Sequence, residues 1–338
     1  MNAPIRLAIT SAATLGLSAS MAAALSIGSG FSSQYSAVDL GSISGLPTPY
    51  GGLTFLPTNP NKLLIGGAAN SAGGNLYTID VVRDAGTNKI TGFSGTPTAY
   101  GSVGEFNDGG VTFGPGGVLF TAQWPANNLG QTAPGSTDED RVDDLSVFGV
   151  GGSSIAAINF VPAGFAGAGQ GKIVSWSSGE WYDLNLVADG SGTFDIASIT
   201  RIDLDTSTAA IDNLPGGPEG FVYINGANPG FGSDSMLVSA YSGNTVDAYQ
   251  IDSNGNPILS TRQTFVSGLT GAEGAVIDPL TGDFLFSTFG GGNRIVRVQG
   301  FNVPPPPPPP PGAVPLPAAG WLMLAALGGL GALRRRKS

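Results

Sequence analysis

The chain has no cysteine and no histidine, and only 11% of its 338 residues are charged. Without cysteine no disulfide can brace the fold, so stability has to come from a sizeable apolar core, even in an oxidising compartment that would allow bridges. Without histidine the usual general base is excluded, along with Ser-His-Asp and Cys-His arrangements and nitrogen ligands for zinc. Any chemistry rests on carboxylates, hydroxyls, amides, lysine or a bound ion. Positive charge is scarce: 14 Lys and Arg stand against 24 Asp and Glu. Arg6 and the cluster from Arg334 to Lys337 lie in the two ends, so the body keeps 9 cations against 24 carboxylates, a net charge of −15. Nucleic acid is thereby disfavoured as a partner, because binding it needs clustered cations to neutralise phosphates. Cations, sugars and basic surfaces stay open.

What the chain does have is glycine and proline, 54 and 25 residues, which reads as turn-rich and low in helix. Eight of the prolines run from Pro304 to Pro311 and lead into Val314-Pro315-Leu316-Pro317-Ala318. From Ala318 to Leu333 there is no charge, and the uncharged stretch from Val314 is twenty residues long. A helix of that length just crosses a hydrocarbon core of roughly 30 Å. Arg334, Arg335, Arg336 and Lys337 follow directly, which places the C-terminus on the cytoplasmic side and the body outside. The N-terminus agrees. Residues 1–24 carry the early cation Arg6, an apolar region from Leu7 to Ala19 and the small run Ala22-Ala23-Ala24, the order of a secretory signal cleaved near Ala24.

The tail, residues 314–338, resembles the VPLPA-CTERM branch of the PEP-CTERM proteins, with motif, membrane helix and basic end in that order. The resemblance implies export, recognition by an exosortase-type membrane protease and removal or exchange of the segment after the motif. Residues 304–313 form a proline-rich spacer that favours a polyproline helix of about 3.1 Å per residue, a semi-rigid stalk of roughly 25 Å.

The body, residues 25–303, repeats itself. A short apolar strand, often opened by glycine, recurs as Gly51-Gly52-Leu53-Thr54-Phe55, Gly109-Gly110-Val111-Thr112-Phe113, Ala157-Ile158-Asn159-Phe160, Glu219-Gly220-Phe221-Val222-Tyr223 and Glu273-Gly274-Ala275-Val276-Ile277. Its last positions step by 58, 47, 63 and 54 residues. Second strands follow at Leu63–Ile65, Val118–Phe120, Ile173–Ser175, Leu237–Ser239 and Leu285–Ser287, and third strands open with Gly-Asn at Gly74, Gly243 and Gly292. Outer strands are expected around Ile199–Leu204 and Leu259–Phe265. Four strands per unit, repeated radially, predict an all-β β-propeller of five blades, with six as the alternative. The last unit has three strands, whereas Tyr35–Leu40 precedes the first unit, so an N-terminal strand is expected to close the ring.

The polar residues of most interest share one place in the repeat. Glu219 and Glu273 precede the inner-strand glycine, and Asp108 lies one residue further back in its unit. Inner strands of a propeller converge on the central channel, so the three carboxylates are expected to meet at one mouth. Oxygen donors of that kind admit Ca2+, which takes 6–8 oxygen ligands. The alternative is that they cap strand starts through backbone amides. On Glu-Gly and on Asp278-Pro279-Leu280-Thr281-Gly282-Asp283, between first and second strands, the body resembles propellers of the gluconolactonase, regucalcin and NHL-repeat groups. That resemblance implies a metal-binding role for Glu219 or Glu273; the remaining ligands and the catalytic aspartate of the lactonases have no counterpart.

Other motifs have competing readings. Asp138-Glu139-Asp140 with Asp143 and Asp144 is a second site that Ca2+ could order, against a solvated acidic loop. Asp252-Ser253-Asn254-Gly255-Asn256 opens like a calcium loop but lacks its closing glutamate, which favours a hairpin turn. Gly167 to Lys172 fails the phosphate-loop pattern at Ala166 and Ile173 and reads as a turn. Trp124, Trp176, Trp181 and Tyr182 suit either blade packing or a sugar-stacking face. The reading is an exported envelope or matrix-associated binding module, with an exosortase-type protease, the membrane and a polysaccharide or matrix component as partners. A Ca2+-dependent lactonase-like hydrolase and a purely structural surface protein are the alternatives.

Overall fold

The computed structural model describes residues 24–151 and 154–302; the expected signal segment up to residue 23 and the expected spacer, sorting motif and tail helix lie outside them. Two short strands come first, β1 (Ser26–Ile27) and β2 (Ser36–Gly41). Blade 1 follows as β3 (Tyr50–Leu56), β4 (Asn59–Gly67), β5 (Asn75–Arg83) and β6 (Ile90–Ala99). Blade 2 is β7 (Asn107–Phe113), β8 (Leu119–Gln123), β9 (Asn128–Thr132) and β10 (Arg141–Asp144). Blade 3 is β11 (Ile155–Phe160), β12 (Gly171–Ser175), β13 (Trp181–Ala188) and β14 (Phe194–Ile202). Blade 4 is β15 (Pro218–Ile224), β16 (Ser235–Ala240), β17 (Thr245–Gln250) and β18 (Gln263–Ser267), and blade 5 has only β19 (Ala272–Ile277), β20 (Phe284–Thr288) and β21 (Ile295–Gln299) from its own stretch of chain. Helix is confined to three short 3-10 turns among the described residues, and none of their helices is long and apolar enough to cross a membrane.

Every sheet is antiparallel, and the N-terminal segment closes the ring. β2 pairs with β21, Ala37 opposite Val298 and Val38 opposite Arg297, as the outer strand of blade 5. β1 adds a fifth strand to blade 4 through β18. Between them Phe31 and Tyr35 pack on Phe265 and Phe301, with Phe31–Phe265 centroids 5.0 Å and Tyr35–Phe301 centroids 4.7 Å apart. The outer strand expected at Leu259–Phe265 starts later, at Gln263, because Leu259–Thr261 forms a 3-10 turn. The acidic stretch expected as a loop also contributes structure, since Asp143 and Asp144 end strand β10.

Five apolar clusters occupy the five seams between neighbouring blades. Successive residues of one strand face opposite seams: Leu63 and Ile65 pack toward blade 5, and Leu64 between them packs toward blade 2. Strands buried on both faces become continuous apolar runs rather than alternating ones, which is the origin of Leu63-Leu64-Ile65 and Phe284-Leu285-Phe286. Arg83 of blade 1 also reaches the Asp278 turn of blade 5 as a bidentate pair, at 2.6 and 2.9 Å. Buried charged pairs of this kind fix register more than they stabilise.

The glycines of the repeat mark where inner strands touch. A Cβ on Gly52 would lie 2.6 Å from Gly109 O, one on Gly110 2.6 Å from Ile158 N, and one on Gly220 2.5 Å from Ala275 N. Backbone cannot yield as a flexible side chain does, so Gly220→Ala is expected to cost about 2–3 kcal/mol. Gly92 of β6, whose Cβ would meet nothing within 4 Å, provides the control, and Gly92→Ala is expected to stay within about 0.5 kcal/mol of wild type in urea unfolding.

Candidate functional site

Each inner strand begins with an irregular pairing that aims one residue into the channel mouth. Pro218 pairs with Ala240 and Phe221 with Val238, so three steps on β15 match two on β16. The same bulge recurs between Ala272 and Ala275 and between Tyr50 and Leu53. In blade 2 four steps, from Asn107 to Val111, match two on β8. That additional residue explains the offset seen in the sequence. Asp108 follows the paired Asn107 as Glu219 follows Pro218 and Glu273 follows Ala272, so the three carboxylates are structurally equivalent. Gly51 and Ala156 hold the same position in blades 1 and 3.

The structure brings Asp108, Glu219 and Glu273 together, with one oxygen of each within 4.8 Å of the others. They are 2%, 3% and 1% exposed. Gly109 leaves the necessary space, since a Cβ there would lie 2.9 Å from Glu219 Oε2. Asp108 accepts hydrogen bonds from the Asn70 side chain and the Gly109 N–H and shares a proton with Glu273. Even so, Asp108 Oδ2, Glu219 Oε2 and Glu273 Oε1 are buried without a hydrogen-bond partner. The backbone-capping alternative therefore accounts for only part of the site.

Burial is the main cause that raises all three carboxyls, Asp108 to about 7 and the glutamates well above the usual range. Mutual repulsion adds to it at Glu219 and Glu273, and no cationic side chain contributes to any of the three. Hard oxygen donors, several of them unpartnered, fit a hard cation such as Ca2+, with Asn70 Oδ1 as a fourth unpartnered oxygen lining the same cavity. With one oxygen from each residue they supply about four of the 6–8 ligands that Ca2+ takes.

The cavity has a volume of about 170 Å3, and aromatic rings form its wall. Trp124, Trp176, Tyr241 and Phe289 stand edge to face in sequence, with centroid separations of 6.1, 6.0 and 5.9 Å and interplanar angles of 74–79°. They too hold one position in the repeat, the residue after the second-strand partner of the bulge: Trp124 follows Gln123, Trp176 follows Ser175, Tyr241 follows Ala240 and Phe289 follows Thr288. Blade 1 has Ala68 there, and Asn70 borders the cavity on that side. Sequence reasoning singled out Trp124 and Trp176 but missed Tyr241, Phe289 and Asn70. An aromatic residue closing the second strand in four units was the available signal.

The remaining expected sites lie elsewhere. Trp181 and Tyr182 are buried in blade seams. Asp138 is exposed, Asp140 accepts from Ala133 N at 2.8 Å, Asp143 pairs with Arg141 at 2.7 Å, and Asp144 caps a 3-10 turn through Ser146 N. Glu139 turns inward and accepts from Thr121, Gln123 and Gly104 N. These carboxylates point to separate partners, and the Asp108, Glu219 and Glu273 group is the one acidic group among the described residues compact enough to hold an ion. Asp252 closes a hairpin turn by accepting from Asn254 N and Asn256 N, both at 2.8 Å. The Gly167–Lys172 turn ends in a buried lysine paired with Asp183 and Asn256.

Raised carboxyl pKa values have a definite consequence for stability. The folded state holds more protons than the unfolded chain, so the contribution of Asp108 is fully present below about pH 4 and is lost as pH rises through about 7, and the raised glutamates act in the same direction. In cation-free buffer the melting temperature is expected to fall from pH 5 to pH 8. Glu273→Gln, a neutral isostere, should flatten that slope and add about 1–3 kcal/mol at pH 8.

No protein-family model matches the chain, and no curated protein sequence does. Among solved structures it is similar to an auxiliary nutrient binding protein from Bacteroides ovatus, at 10% identity over 79% of this chain and 76% of that one, with a TM-score of 0.44. It is similar also to the PQQ-bound aldose sugar dehydrogenase of Streptomyces coelicolor, at 12% identity over 77% and 83%, with a TM-score of 0.38. Virginiamycin B lyase from Staphylococcus aureus matches at 13% identity over 78% and 99%, with a TM-score of 0.40. Likenesses at this level concern general shape and carry nothing about the site.

Proposed function

We propose that the protein is an exported β-propeller of binding type, delivered to the cell envelope by its C-terminal tail, and that its central pocket takes a positively charged ligand. The observation that carries the binding role is the set of three buried carboxylates, each with an unpartnered oxygen, in a cavity to which no cationic side chain contributes. A buried negative charge needs a partner of opposite sign. A diffusible cation fills that role reversibly. Support for the route comes from the order of signal segment, proline spacer, Val314–Ala318 motif, uncharged stretch and Arg334–Lys337 cluster.

One observation favours a second reading. Asp108, raised to about 7 beside a cavity, is poised as a general base near neutrality, which suits a metal-assisted hydrolase of lactone type. Lactone turnover that disappears in Glu219→Gln and Glu273→Gln would select it, and absence of turnover leaves the binding role.

Two measurements test the proposal. Thermal unfolding at pH 7 is expected to shift upward by a few degrees with a divalent or organic cation, and the shift should vanish in Glu219→Gln and Glu273→Gln. Failure of every cation to move the transition would remove the binding reading. For the route, the intact mass of the envelope-bound form is expected to lack residues 1–24 and the segment after the Val314–Ala318 motif. Retention of Arg334 to Lys337 would count against processing.

A further inference from the structure

The carboxylate floor and the aromatic wall together are more selective than charge alone, and on the cation-binding reading above they narrow the ligand class. Beyond the floor a metal ion would have to complete its shell largely with water, because the cavity is bounded there by Trp124, Trp176, Tyr241 and Phe289, whose ring faces offer no oxygen. Those rings instead suit an apolar stem and attract positive charge by their quadrupoles. An alkylammonium head carries three N–H donors and no acceptor. Three residues at the floor each present an acceptor that nothing else satisfies. One oxygen from each lies within 4.8 Å of the other two, so a point among them lies no more than about 2.8 Å from each, within reach of N–H···O bonds to a charged group.

The geometry points to a primary alkylammonium ligand, whose head group sits among Asp108, Glu219 and Glu273 and whose methylene stem lies between the aromatic rings. Tyr241 lies close enough to the floor that, besides burial, all three carboxylates act on its hydroxyl. A cavity of about 170 Å3 admits one unbranched stem of roughly four to six carbons and no bulky head group. Blade 1, with Gly51 at the floor position and Ala68 at the wall position, adds neither charge nor ring, and the short side chain of Asn70 borders the cavity on that side. Either a free amine or the lysine side chain of a partner protein has this chemistry.

The test is a titration of the purified body with n-butylammonium chloride, followed by calorimetry and by the fluorescence of Trp124 and Trp176. Three parallel arms use n-butanol, tetramethylammonium chloride and CaCl2, and a fourth uses Nα-acetyl-lysine methylamide. Butylammonium is expected to bind about tenfold or more tightly than butanol, which lacks the charge, and than tetramethylammonium, which lacks the N–H donors. Glu273→Gln should weaken it by about tenfold or more. Trp176→Phe, which keeps a ring, should hold affinity within a few-fold, whereas Trp176→Leu loses it with an unchanged circular dichroism spectrum. Tighter binding of the lysine amide than of butylammonium would identify a protein lysine as the source, and the reverse a free amine. Binding of tetramethylammonium at least as tight as butylammonium, or a response to CaCl2 alone, would overturn the ammonium assignment while leaving a cation-binding pocket. Silence in every arm would remove both.

Discussion

The constraint on which the molecule depends is the close approach of five inner strands around one axis. At Gly52, Gly110, Gly220 and Gly274 the neighbouring strand lies where a side chain would be, with backbone or Leu53 within 2.7 Å of an added Cβ. Ala157 is the blade 3 counterpart. Such contact narrows the axis, and the cavity lies at the mouth, where the strands begin and bulge. No cationic side chain contributes to the acids at that mouth, and the polar side chain that reaches Asp108 from blade 1 is the short amide of Asn70.

Stability and site pull in opposite directions. Each seam is filled by its own apolar cluster, and the ring closes when β2 pairs with β21, some 250 residues later in the chain, so that no seam faces water. Against that gain stand three desolvated carboxylates that hold protons above their ordinary range. A core selected for stability alone would place alanine or glycine at these positions, as blades 1 and 3 do with Gly51 and Ala156. The departure in blades 2, 4 and 5 is the kind of local cost that accompanies function.

The repeat was legible in the sequence because burial on both faces turns second strands into unbroken apolar runs and because glycine is obligatory at the axis. Both are composition effects that survive divergence between blades. Closure by Tyr35–Leu40 was legible from simple counting, since a unit one strand short and a strand without a unit complement each other. The equivalence of Asp108 with Glu219 and Glu273 was half visible: the residues were evident, but the extra bulge residue in β7 that brings them into register exists only in the pairing. The aromatic wall was less legible still. Trp124 and Trp176 look like Trp181 in a linear reading, and what separates them is that Trp181 begins a third strand and points into a seam while the others end second strands at the mouth. The acidic run from Asp138 to Asp144 illustrates a related point, since proximity along the chain is not proximity of side chains once a turn and a strand fan them toward different partners.

Floor and wall derive from a single cross-strand pair in each blade. The residue after the inner-strand member faces the axis, and the residue after its partner faces the mouth. Five blades therefore give ten such positions, of which seven line the pocket together with Asn70. Read in blade order, the floor is Gly51, Asp108, Ala156, Glu219 and Glu273, and the wall is Ala68, Trp124, Trp176, Tyr241 and Phe289. Charge and rings are absent from the same blade, blade 1, whereas blade 3 contributes a ring without a charge. A mouth that has only the short amide of Asn70 on one side and rings on the other four is directional, which a metal ion entering from water does not require. A ligand with distinct charged and apolar ends does, because it has to enter head first and keep its stem against the rings.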